Sequence, residues 1–164
     1  MAIIKPNNNT ISAITALPAG VGGKVLQVQS TTKTDTFGTT SGSFIKVTGL
    51  EINITPSSTS NKILFLSSVV WGHDAVNSGG HFRLRRDLSG ASTDLKLYDL
   101  NFSGSYTANR CIASFNYLDS PNTTSQLTYK LQVKADSGTI GINRSNSSST
   151  DRGDSTITVM EIAG

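Results

Sequence analysis

The 164 residues include a single cysteine, Cys111, so no disulfide can close within the chain and no cysteine cluster can hold a metal. Cys111 reads instead as a small buried hydrophobe. Charge is scarce: Asp, Glu, Lys and Arg make up 15% of the chain, against a usual ~25%. Long Glu/Lys/Ala/Leu stretches are missing, which argues against extended amphipathic helices. Aromatics amount to 7%. A single-stranded nucleic-acid groove needs rings interleaved with basic groups, so no nucleic-acid partner is expected. No apolar run approaches a membrane span, and the N-terminus has no signal-peptide core. The expectation is synthesis in a cytoplasm without membrane insertion. A nucleophile elbow, a phosphate-cradling glycine loop and a helical zinc motif are all absent.

What is present is polar and turn-forming. Ser and Thr together supply roughly a quarter of the chain, well above ordinary usage. Short strands joined by Ser/Thr/Asn/Gly turns fit this composition, in one domain with a real core. The net charge of +3 does not by itself point to a polyanionic partner.

The most apolar stretch is Lys62 to Trp71, read as a central β-strand. Its β-branched and aromatic residues fit a pleated surface, and Ser67-Ser68-Val69-Val70 is poor helix sequence; a buried helix is the alternative. Alternation places Ile63, Phe65, Val69 and Trp71 on one face and Leu64, Leu66 and Val70 on the other. The first face fills the core. The second needs cover from another layer or another subunit, so Leu64, Leu66 and Val70 are the candidate subunit-interface residues.

Residues 1–22 differ from the rest. Pro6 and Pro18 interrupt them, and Ile3, Ile4, Ile11, Ile14 and Leu17 recur without a steady period. They read as an extended N-terminal arm whose Ile3, Ile4, Pro6, Ile11, Ile14 and Leu17 anchor it to another protein; a disordered leader is the plain alternative. From residue 23 the strand readings are 24–29, a short edge strand near Phe37, 43–47, 50–54, 62–71, 81–86, 95–98, 110–118, 127–134, 138–143 and 155–162. Residues 87–93 read as a turn, 72–80 and 101–109 as loops, and 144–154 as a polar loop. The fold class is all-β, an antiparallel jelly-roll-like sandwich of about 8–10 strands.

Chemistry has few candidates. His73, Asp74 and His81 are close enough in sequence to meet at one end of a sandwich, and two imidazoles with a carboxylate can hold a transition metal. Ordinary loop polar groups are the plainer reading, and no metal or cofactor is assigned. Arg83 and Arg85 sit in the densest charge cluster and can bind an acidic sugar or phosphate, or pair with carboxylates of the protein itself. Tyr98 and Tyr106 can stack on sugar rings or pack internally. The acidic residues fall mostly in turns rather than as a flanking catalytic pair, so no enzymatic activity is expected.

Four segments in order carry a resemblance. They are Ile4-Lys5-Pro6-Asn7-Asn8-Asn9-Thr10-Ile11-Ser12 running into Ile14-Thr15-Ala16-Leu17-Pro18, then Gly23-Lys24-Val25-Leu26-Gln27-Val28, then Ile54-Thr55-Pro56-Ser57-Ser58-Thr59-Ser60-Asn61-Lys62-Ile63-Leu64, and finally Thr156-Ile157-Thr158-Val159-Met160-Glu161-Ile162. Together they resemble small tail-fibre and virion structural proteins of tailed bacteriophages, especially those of aquatic hosts. The resemblance implies a trimeric jelly roll behind a short particle-binding arm, and no catalytic residues. No shaft repeat is present. The expected role is therefore a short fibre or tip touching host-surface polysaccharide, or a capsid decoration protein; a monomeric carbohydrate-binding module is the further alternative. The expected partners are copies of itself and other virion proteins.

Overall fold

The computed structural model describes residues 24–74, 79–101, 110–145 and 148–164, with residues 101 and 148–151 described by backbone alone. The arm at 1–22 and Tyr106 lie outside the described residues. Every described element is a strand: β1 (Val25–Lys33), β2 (Phe37–Thr39), β3 (Ile45–Ile54), β4 (Lys62–His73), β5 (Gly79–Leu88), β6 (Ala91–Asn101), β7 (Arg110–Asp119), β8 (Leu127–Ala135), β9 (Ile140–Ile142), β10 (Arg144–Ser145), β11 (Ser148–Arg152) and β12 (Ser155–Ile162).

Eight of them build two antiparallel four-stranded layers. Sheet A runs β1-β12-β4-β7; β9 continues past β12 along the last residues of β4, with β2 on its edge. Sheet B runs β3-β8-β5-β6. These two orders, with successive strands crossing between sheets, are those of a jelly roll. The all-β sandwich expected from the sequence is the fold observed.

The core forms because inward positions alternate with outward ones on both sheets. Ile63, Phe65 and Val69 of β4 face Phe82 and Leu84 of β5 and Leu127, Tyr129, Leu131 and Val133 of β8, all fully buried. Phe115 of β7 packs against Phe82 and stacks on Tyr98 at a centroid distance of 4.2 Å, closing the β7–β6 side. Cys111, opposite Trp71, is partly buried against the same core.

Two polar clusters sit inside this apolar frame. Near one end, Asp119 Oδ2 accepts from Tyr129 Oη and from Arg86 Nη1, each at 2.6 Å. Burial, and then this hydrogen bond, push the Tyr129 hydroxyl far above its ordinary value. Beside β12, the buried Glu161 carboxylate accepts from Ser57 N (2.6 Å), Ser57 Oγ (2.8 Å), Asn61 Nδ2 (2.6 Å) and Gln27 Nε2 (2.7 Å). Burial alone would raise this carboxyl; the donors from Asn61, Gln27 and Ser57 outweigh it and draw it down to about 2. The carboxylate thus ties the turn before β4 to the sheet A edge.

Three segments differ from the sequence expectation. Residues 43–47 and 50–54 are one strand, β3, broken by a register shift between Lys46 and Glu51. The turn between β5 and β6 shrinks to Ser89-Gly90, both at positive φ (49° and 85°), the geometry of a tight hairpin. Residues 144–154 are not a polar loop: β10 and β11 pair as a hairpin.

Candidate functional site

The site is the outer face of sheet A, and strand register builds it row by row. At one end Val28 pairs with Met160, Met160 with Leu64, and Leu64 with Leu118, so four apolar side chains cross β1, β12, β4 and β7 in line. The next row is Ser30, Thr158, Leu66 and Asn116; the third is Thr32, Thr156, Ser68 and Ser114, all hydroxyls. Ser30 bonds Thr158 and Thr32 bonds Thr156, each at 3.0 Å. Beyond them Val70 pairs with Ile112 and Gly72 with Arg110. Val28 (51%), Leu118 (52%) and Ile112 (70%) are strongly exposed, and Leu64, Leu66, Val70 and Met160 are half-buried. The charge in these rows is Arg110, at the margin; Lys62, paired with Ile162, stands at the other end of β4.

The expected interface residues Leu64, Leu66 and Val70 therefore share this face, but their surroundings differ. The β10–β11 hairpin comes down on its far end, where a Cβ on Gly153 would lie 3.0 Å from both Val70 methyls. Leu64 and Leu66 receive no such cover among the described residues. Asn143 (φ 59°) fixes the hairpin's root. Its N donates to Val70 O (2.8 Å) and its Nδ2 to Lys33 O (2.6 Å) and Asp35 O (3.0 Å), while its Oδ1 accepts from Ser155 Oγ (2.5 Å). Nothing in the sequence singled out Asn143; an Asn at the end of a strand run is the weak signal, since Asn tolerates positive φ.

The outer face of sheet B is the opposite in chemistry. Arg83 gives Nη1 to Asp94 (2.8 Å) and Nε and Nη2 to Gln132 (2.8 and 2.6 Å), and its guanidinium lies 4.2 Å over the Phe44 ring. Arg85 lies between Asp87 and Asp94, Lys130 pairs with Asp87, and Lys46 with Glu51 (3.0 Å). Burial would raise the Asp87 carboxyl, but hydrogen bonds from Lys130 and Ser92 and the Lys130 and Arg85 charges hold it below its ordinary value. Phe44, Arg83, Asp94, Leu95, Lys96 and Leu97 surround an open hollow of about 340 Å³ here. Tyr98 points its ring into the core and its hydroxyl to Asn116 O (3.0 Å).

Among the described residues no three His, Cys, Asp or Glu side chains gather as metal ligands. His81 lies between Asp99 (2.5 Å) and Asp136 (3.2 Å), Asp74 accepts from the Thr139 amide, and His73 is buried at the end of β4.

The chain is thus a jelly-roll sandwich protein with one charged and one largely uncharged outer face. No family model matches it, and no curated protein matches its sequence. Among solved structures it is similar to a chain of the infectious bursal disease virus Gt strain (TM-score 0.46, 11% identity), covering 84% of this chain and 38% of that one. It is similar to the VP2 subviral particle of the same virus (0.46, 11%), covering 84% and 40%. It is also similar to Eiger TNF from S. frugiperda (0.39, 8%), covering 83% and 93%. The chain spans about two fifths of the viral chains it overlays. Overlaps this loose carry no argument about what this chain does or how it assembles.

Proposed function

We propose that this chain is a non-enzymatic structural protein of a tailed-phage virion. In this reading it assembles as a homotrimer and acts as a short fibre or tip at the host surface, with residues 1–22 fastening it to other virion proteins. The observation that carries the reading is the outer face of sheet A. A continuous apolar row across four strands, with no charge inside it, is the composition of a protein contact rather than of a solvated face. Cyclic homo-oligomers bury such faces by symmetry. The phage-like segments, by their succession along the sequence, supply the setting, because a jelly roll alone hosts many functions.

Light scattering tests the assembly: a mass about three times 17.3 kDa is expected. A stable single-chain mass overturns the trimer and favours a monomeric carbohydrate-binding module. Gold-labelled antibodies on intact virions test the role. Tail labelling is expected; even labelling of the head shell would make the protein a decoration protein instead. Release of reducing sugar from host polysaccharide would overturn the non-enzymatic reading.

A further inference from the structure

The outward residues of sheet B also stand in rows. Leu97, Arg83, Gln132 and Lys46 cross β6, β5, β8 and β3 in line, and Asp94, Arg85, Lys130 and Glu51 follow. Leu97 is the apolar side chain among these eight, and it is 49% exposed. Between the two rows β6 carries one extra residue, Leu95: Lys96 pairs with Leu84 and Asp94 with Arg85. Such a bulge bends its strand and re-aims the side chains beside it. The hollow bounded by Phe44, Arg83, Asp94, Leu95, Lys96 and Leu97 lies at this bulge. Its polar groups are fixed but not used up. Gln132, Asp94 and the Phe44 ring hold the Arg83 guanidinium in place. Of its five N–H groups three are engaged among the described residues, and two remain to donate. Asp94 gives Oδ2 to Arg83, but its Oδ1 lies 3.7 Å from Arg85 Nε, beyond hydrogen-bond range, and the side chain is 51% exposed.

We infer that this hollow binds one uncharged pyranose unit of a surface glycan. A carboxylate oxygen only accepts and a guanidinium only donates, whereas a sugar hydroxyl does both. Neighbouring hydroxyls on one ring therefore satisfy Asp94 Oδ1 and the remaining Arg83 N–H groups together, while the ring's C–H face rests on the apolar wall of Leu95 and Leu97. An acidic ligand meets the Asp94 carboxylate, and a cationic one meets Arg83. A wholly apolar ligand would strip water from both groups and return no hydrogen bond. The volume of about 340 Å³ is at the lower end of the ~300–1,000 Å³ usual for small-ligand sites, which suits a single ring. Arg83 is already immobilised, so little side-chain entropy is lost on binding. The hollow is on the sheet turned away from the proposed subunit contact. In a trimer three such sites stay open and act together, so weak single sites give firm attachment. The site deepens the attachment reading and rests on it for its biological setting alone.

Saturation-transfer NMR of the full chain with the methyl glycosides of glucose, galactose and mannose tests the site. Methyl glucuronide serves as an acidic comparison and cyclohexanol as an apolar one. Saturation of the ring protons of at least one neutral glycoside is expected, with weaker transfer to both comparison ligands. In titrations, Asp94→Asn is expected to weaken binding about tenfold, as loss of a charged hydrogen bond does. Leu97→Ser is expected to weaken it through lost contact with the ring. Both residues are exposed, so their thermal transitions stay close to the wild-type value. Asp154→Asn makes the same charge change at an exposed residue just before β12 and leaves binding unchanged. Absence of transfer to every neutral glycoside, or binding indifferent to Asp94 and Leu97, overturns the site. Stronger binding of the glucuronide makes it an anion site instead, and equal binding of cyclohexanol makes it an apolar pocket. Virion labelling is independent of all these outcomes, so failure of the site and failure of the attachment role are told apart.

Discussion

The two outer faces of the sandwich are built by the same device, strands whose alternate residues point away from a common core, and they end in opposite states. On sheet B the outward positions of β3, β8, β5 and β6 carry Lys46, Glu51, Lys130, Lys134, Arg83, Arg85, Asp87, Asp94 and Asp99, and cations and carboxylates interleave. Their partners lie within the same chain, so the face is complete in a single copy. On sheet A the outward positions carry Val28, Met160, Leu64, Leu118, Leu66 and hydroxyls. No described element covers that apolar row. A charged face satisfied by its own residues resists association, whereas an uncovered apolar face gains from it. In the assembly proposed above, the two sheets have different work: sheet B faces solvent, and sheet A makes contact.

The sharpest way to break this contrast is to put a charge into the apolar face. Leu66→Glu places a carboxylate in the second row of sheet A, where burial against another subunit would leave it unpaired. The expected result is loss of the assembly, read by light scattering as a fall from about three times 17.3 kDa to the single-chain mass or as aggregation. A soluble oligomer of wild-type size would mean that this face is not the contact.

Charges between the sheets behave differently from those on sheet B's outer face. Asp119→Ala leaves Arg86 and Tyr129 without their shared acceptor in a buried setting, and is expected to cost about 3–5 kcal/mol in urea unfolding. Glu161→Gln keeps the shape but places an amide among donors, and should cost on the order of 2 kcal/mol. Its sign with pH follows from the lowered carboxyl. The stabilisation is complete above the ordinary value of 4.5 and is lost as pH falls towards about 2. Wild-type unfolding midpoints should therefore drop across that interval, and the Glu161→Gln protein should show a shallower drop.

The smallest effect is expected on the outer face of sheet B. Lys46→Ala removes an exposed pair with Glu51 and should change stability by less than about 1 kcal/mol, with the difference shrinking in high salt. A cost approaching that of Asp119→Ala would erase the distinction between the buried and the solvated charges.

Much of the architecture was legible from alternation. Within the expected strand 127–134, Leu127, Tyr129, Leu131 and Val133 alternate with polar residues and are all fully buried; Phe82 and Leu84 point in while Arg83 and Arg85 point out. The doubly apolar pattern of Lys62–Trp71 correctly marked a strand with two faces to account for, because side-chain direction depends only on the strand's own period. The β10–β11 hairpin was not legible, since Arg144 to Asp154 is polar throughout and has no alternation to follow; its shape comes from Asn143 and from Gly153 against Val70. The buried state of Glu161 was hidden for a related reason. Its position in β12 is inward by period, but the donors that make burial tolerable come from residues 57 and 61 and from β1.

By itself, then, the sequence determined the strand class and the inward rows, because these follow from neighbouring residues and a period of two. Only the tertiary structure decided which strands share a sheet and which row each outward residue joins. It also decided which carboxylate meets which cation. Those outcomes depend on contacts between residues far apart in the chain, such as Arg83 with Gln132 and Arg110 with Arg152, and no local pattern encodes them.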